Sequence, residues 1–156
     1  MSNDQADQQQ DPTNGGPALF RLVRFWSRRW INTASQELTG EPRHVQHILA
    51  VEAVHTAAKH STEITVGTVA HHLGLDHSGA SRIIRDAVEA GYLTRLPSPQ
   101  DRRRASLHLT DPGHSLLHAS HQWQNQTFTA LTATWPPQDR HQFATYLNRL
   151  ADDLSV

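Results

Sequence analysis

The 156-residue chain has no cysteine, one methionine and a single lysine among its 14 basic residues. The absence of cysteine excludes disulfide bonds, thiolate metal sites and thiol-based redox sensing. No apolar run approaches the roughly 18–20 residues that cross a bilayer. The acidic, glutamine-rich start has no basic and apolar segments of the kind that form a signal peptide. We therefore expect a cytoplasmic protein, long enough for one domain with its own hydrophobic core.

Positive charge is also scarce overall. The formal net charge is −1, so the whole composition does not indicate a nucleic-acid-binding protein. The charge is unevenly distributed, however, because residues 21–30 carry four arginines and no acidic residue. Residues 95–104 carry four arginines against Asp101 alone, and the acidic Asp4, Asp7 and Asp11 lie in residues 1–16. Local charge of this kind can meet a phosphate backbone although the whole chain is close to neutral.

Two stripes of helical periodicity occupy the first third of the chain. The first runs from Ala18 to about Leu38, and the second runs from Pro42 to about His60. The first stripe contains Leu19, Leu22, Val23, Trp26, Trp30 and Ile31. The second contains Val45, Ile48, Leu49, Glu52 and Val54. A short β-prone segment, residues 62–65, follows the second stripe.

Two short helices are predicted next, each after a residue suited to capping. Thr65 can cap a helix over residues 66–73, which Gly74 ends. Asp76 can cap a second helix over residues 77–90. The buried stripe of this second helix is predicted to be Ala80, Ile83, Ile84, Ala87 and Val88.

A hairpin and two longer helices complete the predicted elements. Residues 92–96 and 105–109 alternate as paired strands do, with a polar tip between them. Thr110 can cap a helix that is predicted to run to about Trp135. A last helix is predicted over residues 138–154, with the inward-facing side chains Phe143, Tyr146, Leu147 and Leu150.

This order predicts a mainly α fold with a small β-wing, which is a winged helix-turn-helix with long terminal helices. Residues 1–16 are polar and low in complexity, and we expect them to form a disordered tail. Residues 17–40 are expected to form an N-terminal dimerisation helix. Residues 41–110 are expected to form a DNA-binding lobe, and residues 111–156 C-terminal dimerisation helices.

The helix after Asp76 has the composition of a DNA recognition helix, because small and hydrogen-bonding side chains in the first turns let a helix approach base edges. Arg82 is the strongest candidate for bidentate contact with guanine, and the helix starts can bind phosphate. An ordinary amphipathic helix with a solvated face is the alternative. The candidate DNA-binding residues on these helices are Thr65, His77, Ser78, Gly79, Ser81, Arg82 and Arg85.

The hairpin tip adds three consecutive arginines, Arg102, Arg103 and Arg104. A narrow minor groove attracts arginine, so the tip is predicted to reach this groove. Asp101 is predicted to orient Arg103 through a directional ion pair. A solvated charge run is the alternative, but a recognition helix and a basic wing at this spacing favour DNA binding.

Residues 41–117 resemble the winged helix of the MarR (multiple antibiotic resistance regulator) family. The matching motifs are Val69-Ala70, Leu73-Gly74-Leu75, Ala80-Ser81-Arg82, Gly91-Tyr92-Leu93, Arg95, Asp101-x-Arg103 and Leu109-Thr110-x-x-Gly113. The resemblance implies a homodimer with interlocking terminal helices on a pseudo-palindromic operator, the helix after Asp76 in the major groove and Arg103 in the minor groove. Arg104 departs from the family, which usually has a small residue there.

A dimer is also expected because one winged helix covers a limited stretch of DNA, so specific affinity usually needs two half-sites. The terminal helices carry more apolar surface than a winged helix needs.

No cofactor is required for DNA binding, but the resemblance implies that the protein releases DNA when an effector binds. An organic ligand could bind among Arg24, Trp26, Trp30 and Trp123, unless these tryptophans are dimer core.

Zinc is the second possible effector. Candidate zinc ligands at helical spacing are His44, His47, His114, His118 and His121. The alternative is that they are simply exposed histidines of a histidine-rich chain.

The leading functional hypothesis is a transcription regulator, acting as a repressor. A zinc-dependent enzyme is disfavoured because there is no His-Glu-x-x-His motif. A non-specific architectural DNA protein is disfavoured by the net charge.

Overall fold

The computed structural model describes residues 15–26, 44–98 and 105–154, without the side chain of His44. The described elements are helices α1 (Gly16–Phe25), α2 (His44–His60), α3 (Val66–Leu73) and α4 (His77–Glu89), strands β1 (Leu93–Pro97) and β2 (Ala105–Leu109), and helices α5 (Asp111–Leu131) and α6 (Pro137–Leu154). The predicted mainly helical fold with a small two-stranded wing is confirmed. Across these ranges, no helix combines the length and apolar character that a membrane crossing requires.

Helix α2 forms the centre of the lobe, because one of its faces is completely buried. Small side chains on this face let α3, α4 and α5 pack closely against it. The buried residues of this face are Ala50, Val51, Ala53, Val54 and Ala57. The core is completed by Ile64, Val69, Ile84, Ala87, Leu93, Leu107, Leu116 and Leu117.

The sequence stripe predicted for α2 does not coincide with this buried face. Of its five members only Val54 is buried, whereas Leu49 is 39% exposed. Leu49 and the remaining members, Val45, Ile48 and Glu52, line a cavity on the other side of the helix, and Ile48 also packs against the edge of the core. Helix α2 therefore has two apolar faces, one for the core and one for the cavity.

Helix α3 is capped at both ends, and its C-terminal cap sets the turn into α4. Thr65 Oγ1 accepts a hydrogen bond from Thr68 N at 3.2 Å, and the Thr68 hydroxyl accepts one from Thr65 N at 3.3 Å. At the other end of α3, Gly74 adopts the left-handed conformation at φ 62°, which a residue with a side chain rarely adopts. Leu75 N then donates to Ala70 O at 3.0 Å, so the chain turns sharply into α4.

The wing is a two-stranded antiparallel hairpin. Its register pairs Leu93 with Leu109 at the base and Pro97 with Ala105 at the last described pair. The β-prone residues 62–65 are not a strand. Ile64 O nevertheless accepts a hydrogen bond from Leu107 N at 2.8 Å, so this segment is joined to the wing by one strand-like contact.

Several predicted boundaries need correction. Helix α1 begins at Gly16 rather than Ala18, and the rest of the predicted helix to Leu38 lies outside the described residues. Helix α5 ends at Leu131 rather than Trp135, because the backbone leaves the helical conformation at Thr132 (φ −107°, ψ 16°).

The prediction that the apolar residues of α6 face inward is wrong within the protomer. Tyr146 is 56% exposed, Leu147 and Leu150 are close to 40% exposed, and only Phe143 is half-buried. Helices α1 and α6 bury none of their described residues. The two terminal helices therefore present apolar surface that the protomer itself does not cover.

Candidate nucleic-acid interface and adjoining cavity

The N-terminal turn of α4 is fixed by Asp76. Its Oδ1 accepts a hydrogen bond from Gly79 N at 2.8 Å, which satisfies one of the unpaired amides of the helix start. A Cβ at Gly79 would lie 2.7 Å from this carboxylate oxygen, so a larger residue would disturb the cap. The predicted reader helix therefore starts at a defined residue.

The residues predicted to read DNA lie together on the exposed part of this helix. His77, Ser78, Arg82 and Arg85 are exposed, while the opposite face buries Ala80, Ile84 and Ala87 in the core. The hydroxyl of Ser81 lies 3.4 Å from His77 Nδ1.

The two arginines of α4 differ in their surroundings. Arg85 Nε lies 3.8 Å from Asp86 and 4.0 Å from Glu89, and such exposed pairs contribute little to stability. No ion pair to Arg82 is found among the described residues. Arg82 is also closer to the helix start, where base contacts are usually made. Of the two, it is the better placed for base contact.

Thr65 lies at the start of α3 and is half-buried. Its hydroxyl is 3.0 Å from the hydroxyl of Thr68 and is engaged in the cap. The backbone of Thr65 is engaged as well, because Thr65 N donates to the Thr68 hydroxyl at 3.3 Å and Thr65 O accepts from Val69 N at 3.1 Å. The methyl group of Thr65 is therefore the part that these hydrogen bonds leave for the predicted DNA contact. The tip residues Asp101, Arg102, Arg103 and Arg104 lie outside the described residues, so their predicted roles stay predictions.

The base of the wing is held by Thr110. Thr110 N donates to Tyr92 O at 3.1 Å, and its hydroxyl donates to Gly91 O at 2.5 Å. The same hydroxyl accepts a hydrogen bond from Gly113 N at 3.1 Å, which caps α5. A Cβ at Gly113 would lie 2.1 Å from Tyr92 O, so only glycine fits there. The Leu-Thr-x-x-Gly motif thus joins the end of α4, the wing and α5.

A cavity of about 720 Å³ lies between α1, α2, α5 and α6, a size typical of sites for small organic molecules. Its aromatic lining residues are Phe25, Trp26, Trp123, Phe128, Trp135 and Phe143. Of the candidate ligand residues, the structure brings Trp26 and Trp123 together here. Arg24 is not part of the lining, and Trp30 lies outside the described residues.

Glu52 lies in the wall of this cavity and is the acceptor of a hydrogen-bond network from α5. Its Oε1 accepts from Ser120 Oγ at 3.0 Å and from Gln124 Nε2 at 2.9 Å. Its Oε2 lies 2.9 Å from His121 Nε2. The network was not predicted, because the periodic pattern placed Glu52 in an apolar stripe and the partners lie 68–72 residues away.

The candidate metal ligands are spread over different surroundings. His47 lies against the ring of Tyr92 at 5.4 Å, whereas His121 lies against the ring of His55 at 5.7 Å. His118 and His121 line a shallow groove on α5, and His114 is exposed. Within the described part of the chain, no group of three histidine, aspartate or glutamate side chains could hold a metal ion.

His55 interacts electrostatically with Glu52, Lys59 and His121. Burial lowers the pKa of His55, and the positive charge of Lys59 and the neighbouring His121 lower it further. Glu52 acts in the opposite direction. His55, whose pKa is lowered, therefore lies against His121, whose ring contacts the Glu52 carboxylate.

Comparisons with known proteins agree with this geometry. No curated protein sequence matches the chain significantly. Among solved structures, a mutant of MarR from E. coli is similar at 21% identity, with a TM-score of 0.66 over 86% of this chain and 95% of that one. A mutant of MepR from S. aureus bound to an oligodeoxyribonucleotide is 17% identical, with a TM-score of 0.57 over 88% and 96% of the two chains. MepR bound to ethidium bromide is 16% identical, with a TM-score of 0.55 over 89% and 96%.

The family comparison gives the sequence counterpart of these folds. The sequence model of the MarR family matches residues 44–104, which include α2, α3, α4 and β1. These are the segments that carry most of the motifs from which the resemblance was inferred. The match of residues 44–104 to the MarR family model therefore agrees with the resemblance that the sequence motifs indicated.

Proposed function

We propose that the chain is a sequence-specific DNA-binding transcription regulator that acts as a repressor. The observation that carries this proposal is the exposed N-terminal half of α4, where Ser78 and Arg82 project from a helix whose other face is locked in the core. Arginine at this position can make the bidentate contact that identifies guanine. The similar MepR structure with a bound oligodeoxyribonucleotide supports the same use of this fold.

The proposed regulator is a homodimer on a pseudo-palindromic operator. Support comes from the apolar side chains of α1 and α6, such as Phe20 at 64% and Leu154 at 79% exposure. Full burial of one such side chain contributes up to roughly 1.5–3 kcal/mol, so a second copy that covers several of them would offset the cost of association. A two-fold dimer would present two α4 helices to successive major grooves.

The proposed wing contact places Arg103 in the minor groove, with Asp101 orienting it and Arg102 and Arg104 near phosphates. Support comes from the hairpin base, whose Thr110 anchor fixes β1 and β2 relative to α4. Since α4 and the wing share this anchor, the major-groove and minor-groove contacts would be positioned together.

A small organic effector in the aromatic cavity is the favoured signal. The cavity lies where α2 of the DNA-binding lobe meets the terminal helices, and MepR, a similar structure, is known with ethidium bromide bound. Zinc has less support, because the candidate histidines do not form a three-ligand group in the described part of the chain. The same observation gives no support to a zinc-dependent enzyme.

Selection of bound duplexes from a random DNA pool tests the proposed function. Arg82→Ala should then weaken binding to the selected duplex about tenfold to a hundredfold, the usual contribution of one bidentate base contact. Arg149→Ala on α6 removes the same charge away from α4 and should leave affinity nearly unchanged. Arg103→Ala should weaken binding markedly, and an unchanged affinity would refute the wing assignment.

A further inference from the structure

The aromatic cavity has one charged group in its described lining, and that group is Glu52. The Glu52 side chain is 25% exposed, so it is partly shielded from water. Apart from Glu52 and the polar Gln124 and Thr132, the described lining is apolar. No lysine or arginine belongs to it. Glu52 is therefore the anionic group of the described lining, and His121, whose Nε2 lies 2.9 Å from its carboxylate, offsets this charge only when its imidazole is protonated.

The aromatic rings of the cavity wall also attract positive charge. Phe128 and Phe143 are stacked with centroids 6.0 Å apart, and Trp135 lies 5.2 Å from Phe143 at an interplanar angle of 51°. The faces of aromatic rings carry partial negative charge and attract organic cations. Flat rings beside a carboxylate are complementary to a planar molecule with one positive charge.

We propose that the effector is a planar aromatic monocation that is recognised by the Glu52 carboxylate, and that Glu52 transmits its binding to the DNA-binding lobe. This inference rests on the proposed function, since it concerns the regulation of the same DNA-binding lobe. An anionic effector would meet the carboxylate without a compensating positive group in the described wall.

The transmission follows from the second role of Glu52. Its two oxygens accept hydrogen bonds from Ser120, His121 and Gln124, which join α2 to α5 across the cavity edge. A carboxylate offers about four acceptor positions, so three donors leave little capacity for a further partner. Gln124 itself lines the cavity and is exposed. A cation that approaches Glu52 therefore displaces Gln124 first.

Loss of the Gln124 contact weakens the connection between α2 and the second half of α5. The first half of α5 packs with α2, α3 and α4, because it adds Leu116 and Leu117 to the same core, whereas the second half holds Gln124 and leads into α6 and the proposed dimer contact. A change at Glu52 would alter the angle at which this second half leaves α2. In a dimer this angle sets the spacing of the two α4 helices, on which operator binding depends.

Three probes of similar size test the inference by calorimetry on the full chain: N-methylquinolinium, uncharged methylnaphthalene and anionic naphthoate. The wild type should bind the cation about tenfold or more tightly than either other probe, as one shielded charge-assisted contact implies. Glu52→Gln should abolish this preference and keep the affinity for methylnaphthalene. Ser120→Ala, which removes one α5 donor but keeps the carboxylate, should retain the preference.

The same cation should lower the affinity of the wild type for its selected duplex, and this effect should be absent in Glu52→Gln. Equal binding of the three probes, or a cation preference that survives in Glu52→Gln, would overturn the inference. So would cation binding without any change in DNA affinity. If Glu52→Gln does not fold, the ratio of the wild-type affinities for the cation and for methylnaphthalene decides, since a cation preference supports the inference and its absence overturns it. A chain without any DNA sequence preference would overturn the proposed function instead.

Discussion

Substitution of Gly113 by alanine should destabilise the protein through a single backbone clash. The new Cβ would lie 2.1 Å from Tyr92 O, so α5 and the start of the wing must separate by more than about 1 Å to restore ordinary contact. Three hydrogen bonds hold this junction, from Thr110 N, Thr110 Oγ1 and Gly113 N. At about 0.5–1.5 kcal/mol each, their loss lowers the free energy of unfolding by roughly 2–4 kcal/mol.

Thermal unfolding at fixed protein concentration measures this effect. For a chain of this length, a loss of that size should lower Tm by about 5–15 °C. Gly67→Ala is the matched control, because its Cβ would lie 3.6 Å from Thr65 Oγ1, an ordinary contact within α3. It should leave stability unchanged or raise it by up to about 1 kcal/mol. A Gly113→Ala protein as stable as the wild type would contradict the anchor described for Thr110.

Two further predictions concern His55 and α6. Because burial lowers the pKa of His55 below its ordinary value of 6.5, the unfolded chain takes up a proton at this residue before the folded chain does. Stability should therefore decrease as pH falls below that value and through the lower folded value. In His55→Gln this decrease should be smaller in urea titrations at several pH values, and an identical pH dependence would exclude His55 as its source. Leu150→Glu places a charge on the exposed apolar face of α6 and should shift the protein toward monomer in sedimentation experiments, whereas Gln138→Glu near the start of the helix should not. An unchanged dimer would exclude this part of α6 from the interface.

The helix starts could be predicted from the sequence because capping is local. Thr65, Asp76 and Thr110 each accept a hydrogen bond from an amide three residues later, and the residue types that do this are few. The αL glycine at the end of α3 is local in the same sense. The order of elements in the winged helix was therefore predicted correctly from short segments.

The features that were missed leave no distinguishing signal in the local sequence. Helix α5 was predicted to extend to about Trp135 because Pro136 and Pro137 interrupt a helix there, whereas the helix ends four residues earlier, at Leu131, without a proline to mark the position. The exposure of Tyr146 was missed because an apolar stripe has the same period whether the protomer buries it or leaves it exposed. The network around Glu52 was missed because it joins α2 to a helix far along the chain, which leaves no periodic trace.

Sequence preference in DNA binding is the central claim, and fluorescence anisotropy at physiological salt measures it directly. The selected pseudo-palindromic duplex and a scrambled duplex of the same composition are titrated with the full chain under the same conditions. The selected duplex should bind at least about a thousandfold more tightly, as specific DNA-binding proteins do. Equal affinity for the two duplexes would contradict the assignment of α4 as a reader of DNA sequence.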